Sequence, residues 1–327
     1  MLLVYMVSVG EDIKGLLANL TKTENRFVSF ERCYFFMNIP AEVGYYHLRE
    51  MKEHYKKLVK SHLRCEEREF VPKKIKRNWP RTGKIEFINY SVKYRPDVDY
   101  VLKHVSFSLA SGQKLGILGR TGAGKSTLVS SMFRYFGEFE GDITYDGVSI
   151  RNVDIQQLRR SITTIPQDPI LFNTTIRRNL DPSGKHNREE IEQVLREIGL
   201  WDKVAAHNGT EYMIDTGGSN LSQGEKQVMC FGRALLEKNK LILMDEATAN
   251  IDSLTELTIQ RLVQEKFSES TILMIAHKLN TIMICDKILI LDHGQVKEFG
   301  DLNVLKNQEG GILNQLLKSA DLIKEYC

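Results

Sequence analysis

Cysteine is scarce in this chain, and no apolar run is long. The five cysteines among 327 residues are scattered without a C-x-x-C pair, which argues against a disulfide framework and against a zinc site. The apolar run at residues 1–7 is shorter than the roughly 20 residues that cross a bilayer, and it lacks the basic start of a signal peptide. A reducing, cytosolic compartment fits this pattern.

The net charge of the chain is also small, but charged residues are unevenly distributed along it. The net charge is +3, with 42% hydrophobic and 27% charged residues, as in ordinary soluble globular proteins. Between Arg49 and Arg81, however, 12 lysines and arginines occur with only 5 acidic residues. This basic stretch ends where alternating strand patterns begin, so we predict a domain boundary near Gly83.

The segment before that boundary has apolar residues at helical spacing. Ile13, Leu16, Leu17 and Leu20 form one such group, and residues 48–58 hold a second. One interpretation is a helical appendage packed on the main domain. We favour another, in which residues 1–83 are the truncated end of a transmembrane domain and a basic helical linker, because lysine and arginine cluster on the cytoplasmic side of membrane segments.

The strongest motif is a glycine-rich turn between an apolar strand pattern and a helix start. The apolar run at residues 115–118 is followed by Gly119-Arg120-Thr121-Gly122-Ala123-Gly124-Lys125-Ser126-Thr127. This is the spacing of a phosphate-binding loop, in which small residues let backbone N–H groups surround a phosphate at a helix N-terminus. We expect Lys125 to reach the terminal phosphates of a nucleotide and Ser126 to bind Mg²⁺.

Strand patterns lie on both sides of this loop. Residues 85–94 and 101–109 are strand-like and predict an antiparallel sheet that leads into the loop strand. Asp146-Gly147 and His293-Gly294 have the composition of hairpin turns. Two later runs, at residues 241–244 and 271–276, are continuously apolar. Such runs are expected of parallel strands covered on both faces.

Ionisable side chains follow these two apolar runs. Asp245 and Glu246 come directly after the first, and His277 comes directly after the second. Open α/β sheets bind their ligands at the carboxyl ends of the strands. Asp245 is therefore a candidate for the Mg²⁺ shell, and Glu246 for the general base that polarises an attacking water. His277 is expected within reach of a γ-phosphate.

A further motif lies between the phosphate loop and the acidic strand end. It reads Asn220-Leu221-Ser222-Gln223-Gly224-Glu225-Lys226-Gln227. This run is similar to the signature motif of ABC transporters, and from Lys84 to its end the chain resembles the ATP-binding domain of that family. The other parts follow in the family's order: Tyr94 at the adenine-stacking position, Gly119–Thr127 as Walker A, Gln167 as the Q-loop, residues 241–246 as Walker B, residues 249–252 as the D-loop and His277 as the switch histidine. The residues of these motifs are most similar to those of the second ATP-binding domain of subfamily C, the multidrug-resistance-associated transporters.

The resemblance implies a fold and a role for each motif. The fold would be α/β, with a P-loop NTPase (RecA-like) core sheet, an antiparallel β subdomain and a helical signature subdomain over residues 84–327, preceded by a mostly helical segment. ATP and Mg²⁺ are the implied cofactors. The metal ligands would be Ser126, Gln167 and Asp245, and the catalytic residues Glu246, His277 and Gln167. Ser222, Gln223, Gly224 and Glu225 would cover the nucleotide of a facing domain.

The implied partners are a second ABC ATP-binding domain, as a homo- or heterodimer, and the transmembrane domains of an exporter. The ATP-binding domain would lie on the cytoplasmic side of the membrane. Two other functions stay open: a non-transport ABC ATPase acting on nucleic acid or ribosomes, and a regulatory domain gated by ATP. A solvated linker explains the basic residues 73–77 better than nucleic acid does, so no nucleic-acid partner is expected. Glu246 argues against a gate, since a binding-only site needs no general base.

The signature departs from the family pattern at two positions. Gln223 stands where a small residue or glycine is usual, and Glu225 stands where glutamine is usual. A carboxylate at Glu225 would weaken the site by repulsion if it pointed inward, and the sequence does not give its direction.

Overall fold

The computed structural model describes residues 2–39, 75, 78–95, 97–137, 139–247, 251–276 and 279–324. The chain divides into two compact units between residues 45 and 46, and each is described by itself. His277, residues 249–250 of the D-loop and the second helical pattern at residues 48–58 lie outside the described residues.

The described part of the first unit contains helix α1, Leu2–Met37. This helix confirms the helix predicted from the spacing of Ile13, Leu16, Leu17 and Leu20. Across the described ranges, no helix combines the length and the apolar character needed to cross a bilayer. The assignment of residues 1–83 to the end of a membrane domain and its linker stays a prediction.

The second unit contains two β-sheets. In the smaller sheet four antiparallel strands lie in the order β2-β1-β4-β5. Its strands are β1 Ile85–Val92, β2 Leu102–Leu109, β4 Phe139–Tyr145 and β5 Val148–Ser149. The larger sheet has the order β10-β9-β3-β8-β7-β6. Its strands are β3 Lys114–Leu118, β6 Ile162–Ile165, β7 Leu241–Asp245, β8 Thr271–Ile275, β9 Lys287–Asp292 and β10 Gln295–Asp301.

The larger sheet is parallel except at β10, which pairs antiparallel with β9. Alternate residues of its strands enter two different cores. Ile242 and Met244 pack with the helices on one face, whereas Leu241 and Leu243 pack with side chains of the smaller sheet on the other. Burial on both faces explains the continuous apolar runs, and the predicted α/β fold class is confirmed.

Short helices connect the strands, and polar caps fix several helix starts. Asp154 accepts hydrogen bonds from the N–H groups of Gln156 and Gln157, both at 3.0 Å, and Asn187 with Glu190 forms a capping box. The described helices of this unit are α2 Lys125–Met132, α3 Ile155–Arg160, α4 Ile176–Leu180, α5 Arg188–Glu197, α6 Trp201–Ala205, α7 Gln223–Glu237, α8 Ser253–Glu265, α9 Leu279–Ile282, α10 Leu302–Asn307 and α11 Ile312–Lys324.

Both predicted hairpin turns are confirmed. Asp146-Gly147 joins β4 to β5 with φ values of 51° and 74°, and His293-Gly294 joins β9 to β10 with φ values of 46° and 76°. Positive φ at both central residues matches the right-handed twist of the flanking strands.

The first of these turns also anchors the chain that enters the smaller sheet. The Asp146 carboxylate accepts hydrogen bonds from the four successive N–H groups of residues 81–84, at 2.6 to 3.0 Å, and from the Thr82 hydroxyl at 2.5 Å. Trp79 is buried, stacks on Tyr145 and donates from Nε1 to the Tyr145 carbonyl at 3.1 Å. One carboxylate thus fixes the path of the segment just before β1.

We expect Asp146→Asn to lower the free energy of unfolding of the second unit by about 1–3 kcal/mol, because the substitution removes charge-assisted bonds to several backbone donors. Burial raises the pKa of Asp146, but the bonds from Thr82, Lys84 and Arg81 outweigh burial and hold the pKa below its ordinary value of 3.8. This contribution is therefore present above that value and is lost as the pH falls through the folded-state pKa.

Chemical denaturation at pH 7 and below pH ~4 measures both effects. The stability difference between wild type and Asp146→Asn should shrink at the lower pH. Asp99→Asn, at an exposed carboxylate, is the matched control. Equal stability of wild type and Asp146→Asn at pH 7 would contradict the anchor.

Candidate functional site

The glycine-rich loop joins the carboxyl end of β3 to the start of α2, as the sequence predicts. Gly124 is the N-cap residue of α2. At Gly119 the backbone approaches β9 so closely that a Cβ would lie 2.4 Å from the Leu291 carbonyl oxygen. A side chain cannot be accommodated there without moving the backbone. In a loop of this kind, the N–H groups of the loop and of the first turn of the following helix are the donors that bind phosphate.

The β9–β10 turn supports this loop from one side. The N–H of Gly294 donates to the Ala123 carbonyl at 3.1 Å, and the Gly294 carbonyl accepts from the Lys103 N–H at 2.8 Å. The loop is therefore attached to both β-sheets and is held in a defined conformation.

Lys125 lies folded against its own loop. The side chain is buried, and Nζ donates to the carbonyl of Gly119 at 2.6 Å and to that of Arg120 at 3.2 Å. Ser126, the next residue, is exposed. A lysine in this position supplies a cation to any anion that the loop binds.

Tyr94 is positioned by one contact with α2 and one with the segment that follows that helix. Its hydroxyl lies 3.0 Å from Oγ1 of Thr127, and its ring meets Phe136 edge-on with centroids 5.1 Å apart. The residue is nevertheless 60% exposed. These contacts fix the orientation of an accessible aromatic ring beside the phosphate loop, where a stacking partner for a base is predicted.

The acidic strand end adopts a rare backbone conformation. Asp245 ends β7, and Glu246 follows with φ +47°, while the Glu246 N–H donates to the Ile275 carbonyl at 3.1 Å. Positive φ is uncommon for a residue with a side chain and is concentrated at functional sites. Both carboxylates are half-buried. The conformation places Glu246 beside the last residue of β8, the strand that leads to His277.

Gln167 follows β6 and is exposed, and the segment around it is held by helix α7. Gln227 donates from Nε2 to the Pro166 carbonyl at 3.0 Å, and Arg233 donates from Nη2 to the Ile170 carbonyl at 3.0 Å. Gln227 is the last residue of the signature run, but no individual role was predicted for it, and Arg233 lies outside the predicted motifs. Each is a polar residue among the apolar residues of one helix face, and this pattern is the sequence signal that could have identified them. In the structure Gln227 is buried and Arg233 is half-buried.

The signature opens helix α7. Ser222 is the N-cap, and it forms a capping box with Glu225: the Ser222 N–H donates to Glu225 Oε2 at 2.7 Å, and the Glu225 N–H donates to Ser222 Oγ at 3.1 Å. A Cβ on Gly224 would lie 2.6 Å from Thr255 Oγ1, so the first turn packs closely on α8. Ser222 and Gln223 remain exposed.

These residues fall into two groups. The phosphate loop, Gln167, Asp245 and Glu246 follow the carboxyl ends of β3, β6 and β7, which belong to one parallel sheet. The signature opens α7, and the helices α4 to α8 make up the helical part of this unit. Within the part of the chain that the structure describes, no hydrogen bond or ion pair joins Ser222–Glu225 to Gly119–Thr127. A glycine loop between a parallel strand and a helix, in a sheet with an acidic strand end, defines a P-loop nucleotide-binding protein.

Comparison with known proteins narrows this class. The model of the ABC transporter family matches residues 102–249. ATP-binding cassette sub-family C member 2 of Rattus norvegicus is 43% identical over 234 residues, which are 71% of this chain and 15% of that protein. A pleiotropic ABC efflux transporter of multiple drugs from Candida glabrata is 45% identical over 238 residues, 68% of this chain and 14% of that protein. The ATP-dependent bile acid permease of Saccharomyces cerevisiae is 40% identical over 267 residues, which cover 75% of this chain and 16% of that protein.

The chain carries an ATP-binding domain of the ABC transporter family, and its similarity to subfamily C members confirms the resemblance seen in the sequence. It spans about one sixth of the length of the curated relatives it matches. The roles of individual site residues stay predictions.

Tyr94 offers a direct test of the base site. We expect Tyr94→Ala to weaken ATP and GTP binding together by about 1–3 kcal/mol, because stacking is lost and both purines present a π-face. Tyr94→Phe should keep most of that affinity, since it removes only the bond to Thr127. Equilibrium titration with fluorescent nucleotides measures both constants.

Tyr135→Ala is the matched control, because Tyr135 is a nearby exposed tyrosine that stacks on Phe133. A lower melting temperature for Tyr94→Ala with unchanged nucleotide affinity would show that Tyr94 only packs against its neighbours.

Proposed function

We propose that this chain is the ATP-hydrolysing motor of a membrane exporter. The observation that supports this best is the separation of the motifs: the phosphate loop and the acidic strand end follow strands of one sheet, whereas the signature, with Ser222 and Gln223 exposed, opens helix α7. One domain alone would then hold a nucleotide without enclosing it. The exposed signature is available to a second domain.

The site residues fit ATP and Mg²⁺. Gly119–Thr127 would hold the triphosphate, with Lys125 exchanging its bonds to loop carbonyls for bonds to phosphate oxygens. Ser126, Gln167 and Asp245 offer hydroxyl, amide and carboxylate oxygens, the ligands that Mg²⁺ prefers. A bound Mg²⁺ would neutralise charge on the β- and γ-phosphates.

The proposed chemistry is attack of water on the γ-phosphorus of ATP, which breaks its bond to the β–γ bridging oxygen and releases ADP and inorganic phosphate. The Glu246 carboxylate would accept the proton of that water as general base. Its left-handed backbone and the bond from its N–H to Ile275 would hold the carboxylate in place. Gln167 would orient the water, and His277 would contact the γ-phosphate.

We further propose that Ser222, Gln223, Gly224 and Glu225 cover the nucleotide of a facing ABC domain, which is either a second copy or a related chain. Closure of the pair would convert binding energy into movement of attached transmembrane domains. In this proposal residues 1–83 are the end of such a domain and its linker, and the ATP-binding unit lies on the cytoplasmic side of the membrane.

Glu246→Gln should keep MgATP binding and slow hydrolysis by ~10²–10⁴-fold, because only the proton acceptor is lost. Lys125→Ala should instead lose about 1.5–3 kcal/mol of ATP affinity, the value of a charged hydrogen bond. ATP titration and single-turnover hydrolysis, measured on the same samples, separate the two effects.

Glu309→Gln, in an exposed turn, is the control for the loss of one carboxylate. An unchanged hydrolysis rate in Glu246→Gln would remove Glu246 from the mechanism. Tight binding without turnover in the assembled wild type would favour an ATP-gated regulatory domain instead.

A mixing experiment tests whether each site is shared between two chains. Ser222→Asn preserves an N-cap residue while lengthening the side chain that would face the nucleotide. We expect Ser222→Asn and Glu246→Gln each to be impaired alone, and their mixture to recover hydrolysis, since a hybrid dimer contains one intact composite site. A mixture no more active than its two components, in samples that dimerise with ATP, would contradict shared sites.

A further inference from the structure

Glu225, the acidic departure from the family signature, is paired with a lysine from another helix. Lys203 Nζ on α6 lies 2.9 Å from Oε1 and 2.7 Å from Oε2 of Glu225, and it also donates to the Asn220 carbonyl at 3.2 Å. An ammonium group has three N–H donors. All three of these acceptors belong to the signature, so one cation joins the loop before α7 to the first turn of the helix.

The surroundings of Lys203 keep it at this position. Its neighbour Val204 is buried in the helical core, and Trp201 at the start of α6 packs under Arg196, with 4.6 Å from the guanidinium carbon to the ring centroid. The Lys203 and Glu225 side chains are 36% and 26% exposed. The pair is therefore partly shielded from water and is screened less than a surface ion pair.

Glu225 is tied by hydrogen bonds both to the start of α7 and to α6. One carboxylate oxygen accepts from both the Ser222 N–H and Lys203, and the other accepts from Lys203. Burial raises the pKa of Glu225, but the bonds from Lys203 and Ser222 outweigh burial and hold the pKa below its ordinary value. The carboxylate is thus ionised at neutral pH. Without Lys203 a full negative charge would stand at the end of the helix that the proposed function turns toward a nucleotide.

We propose that Lys203 is a positioning residue for the signature: it neutralises Glu225 and fixes residues 220–225, so that Ser222 and Gly224 can approach the anionic nucleotide of the facing domain. This inference rests on the proposed function, because it concerns the nucleotide shared between two domains. Lys203 lies outside all of the motifs identified in the sequence.

Four versions of the full chain test the inference: wild type, Lys203→Met, Glu225→Gln and the double variant. For each, the ATP concentration giving half-maximal hydrolysis and the maximal rate are measured, together with ATP affinity under conditions where the chain is monomeric. Lys203→Met should raise the half-maximal ATP concentration about tenfold, because the Glu225 carboxylate would lose the charged hydrogen-bond partner that balances it. Its affinity for ATP as a monomer should not change, because the phosphate loop is untouched.

The Glu225→Gln background separates charge from structure. If Lys203 acts mainly by neutralising Glu225, Lys203→Met should have a much smaller effect once residue 225 is uncharged, because only the bond to the Asn220 carbonyl is then lost. Lys203→Arg should retain function. Lys266→Met is the matched control, because it breaks another lysine–glutamate pair of the helical part, Lys266 with Glu197 at 2.8 Å. That variant should leave the half-maximal ATP concentration unchanged.

Two outcomes would overturn the inference while leaving the proposed function intact: a Lys203→Met chain that behaves as wild type, or an equal effect of Lys203→Met in the wild-type and Glu225→Gln backgrounds. A wild-type chain without Glu246-dependent hydrolysis would instead refute the proposed function, and the role of Lys203 with it.

Discussion

The parallel pairing of β3, β8, β7 and β6 is the constraint on which the rest of the site depends. Parallel strands present their carboxyl ends at a common edge, so the phosphate loop after β3, Gln167 after β6 and Glu246 after β7 follow strand ends on the same side of one sheet. The apolar runs that look featureless in the sequence are what make this possible. Each is buried on both faces, and the two cores that cover them hold the strand ends at fixed spacing.

Helix α7 connects the two groups of functional residues. Its first turn is the signature, and two of its later side chains, Gln227 and Arg233, bind carbonyls on either side of the Q-loop segment. A movement of α7 would therefore displace the backbone next to Gln167. In the proposed motor, the signature would face one nucleotide and Gln167 the other, and these bonds are the contacts through which a movement of α7 would reach the Q-loop segment. The route consists of side chains whose roles can be separated by substitution.

Features that depend on neighbouring residues were predictable from the sequence. The strand, glycine-rich turn and helix around Gly119–Thr127, the Asp146-Gly147 and His293-Gly294 turns and the buried strands all follow from local spacing, and the structure confirms these elements. Features that depend on distant residues were not. The Glu225 carboxylate is directed partly by Ser222, in a local capping-box spacing, and partly by Lys203, 22 residues away. The contact with Lys203 has no local signal, and neither has the contact of Tyr94 with Thr127, 33 residues away. No periodicity encodes such contacts, because they form only when distant elements pack together: α6 with α7 for Lys203, and the segment after β1 with α2 for Tyr94.

The central claim is that this chain supplies only half of each catalytic site, and the dependence of turnover on protein concentration tests it most directly. Wild-type chain is diluted over a wide range at saturating MgATP, hydrolysis is measured per chain, and sedimentation gives the oligomeric state at each concentration. Shared sites predict a rate per chain that rises with concentration as dimers form and levels off when dimerisation is complete. A high rate per chain that is independent of concentration, in protein that sediments as a monomer, would contradict the claim.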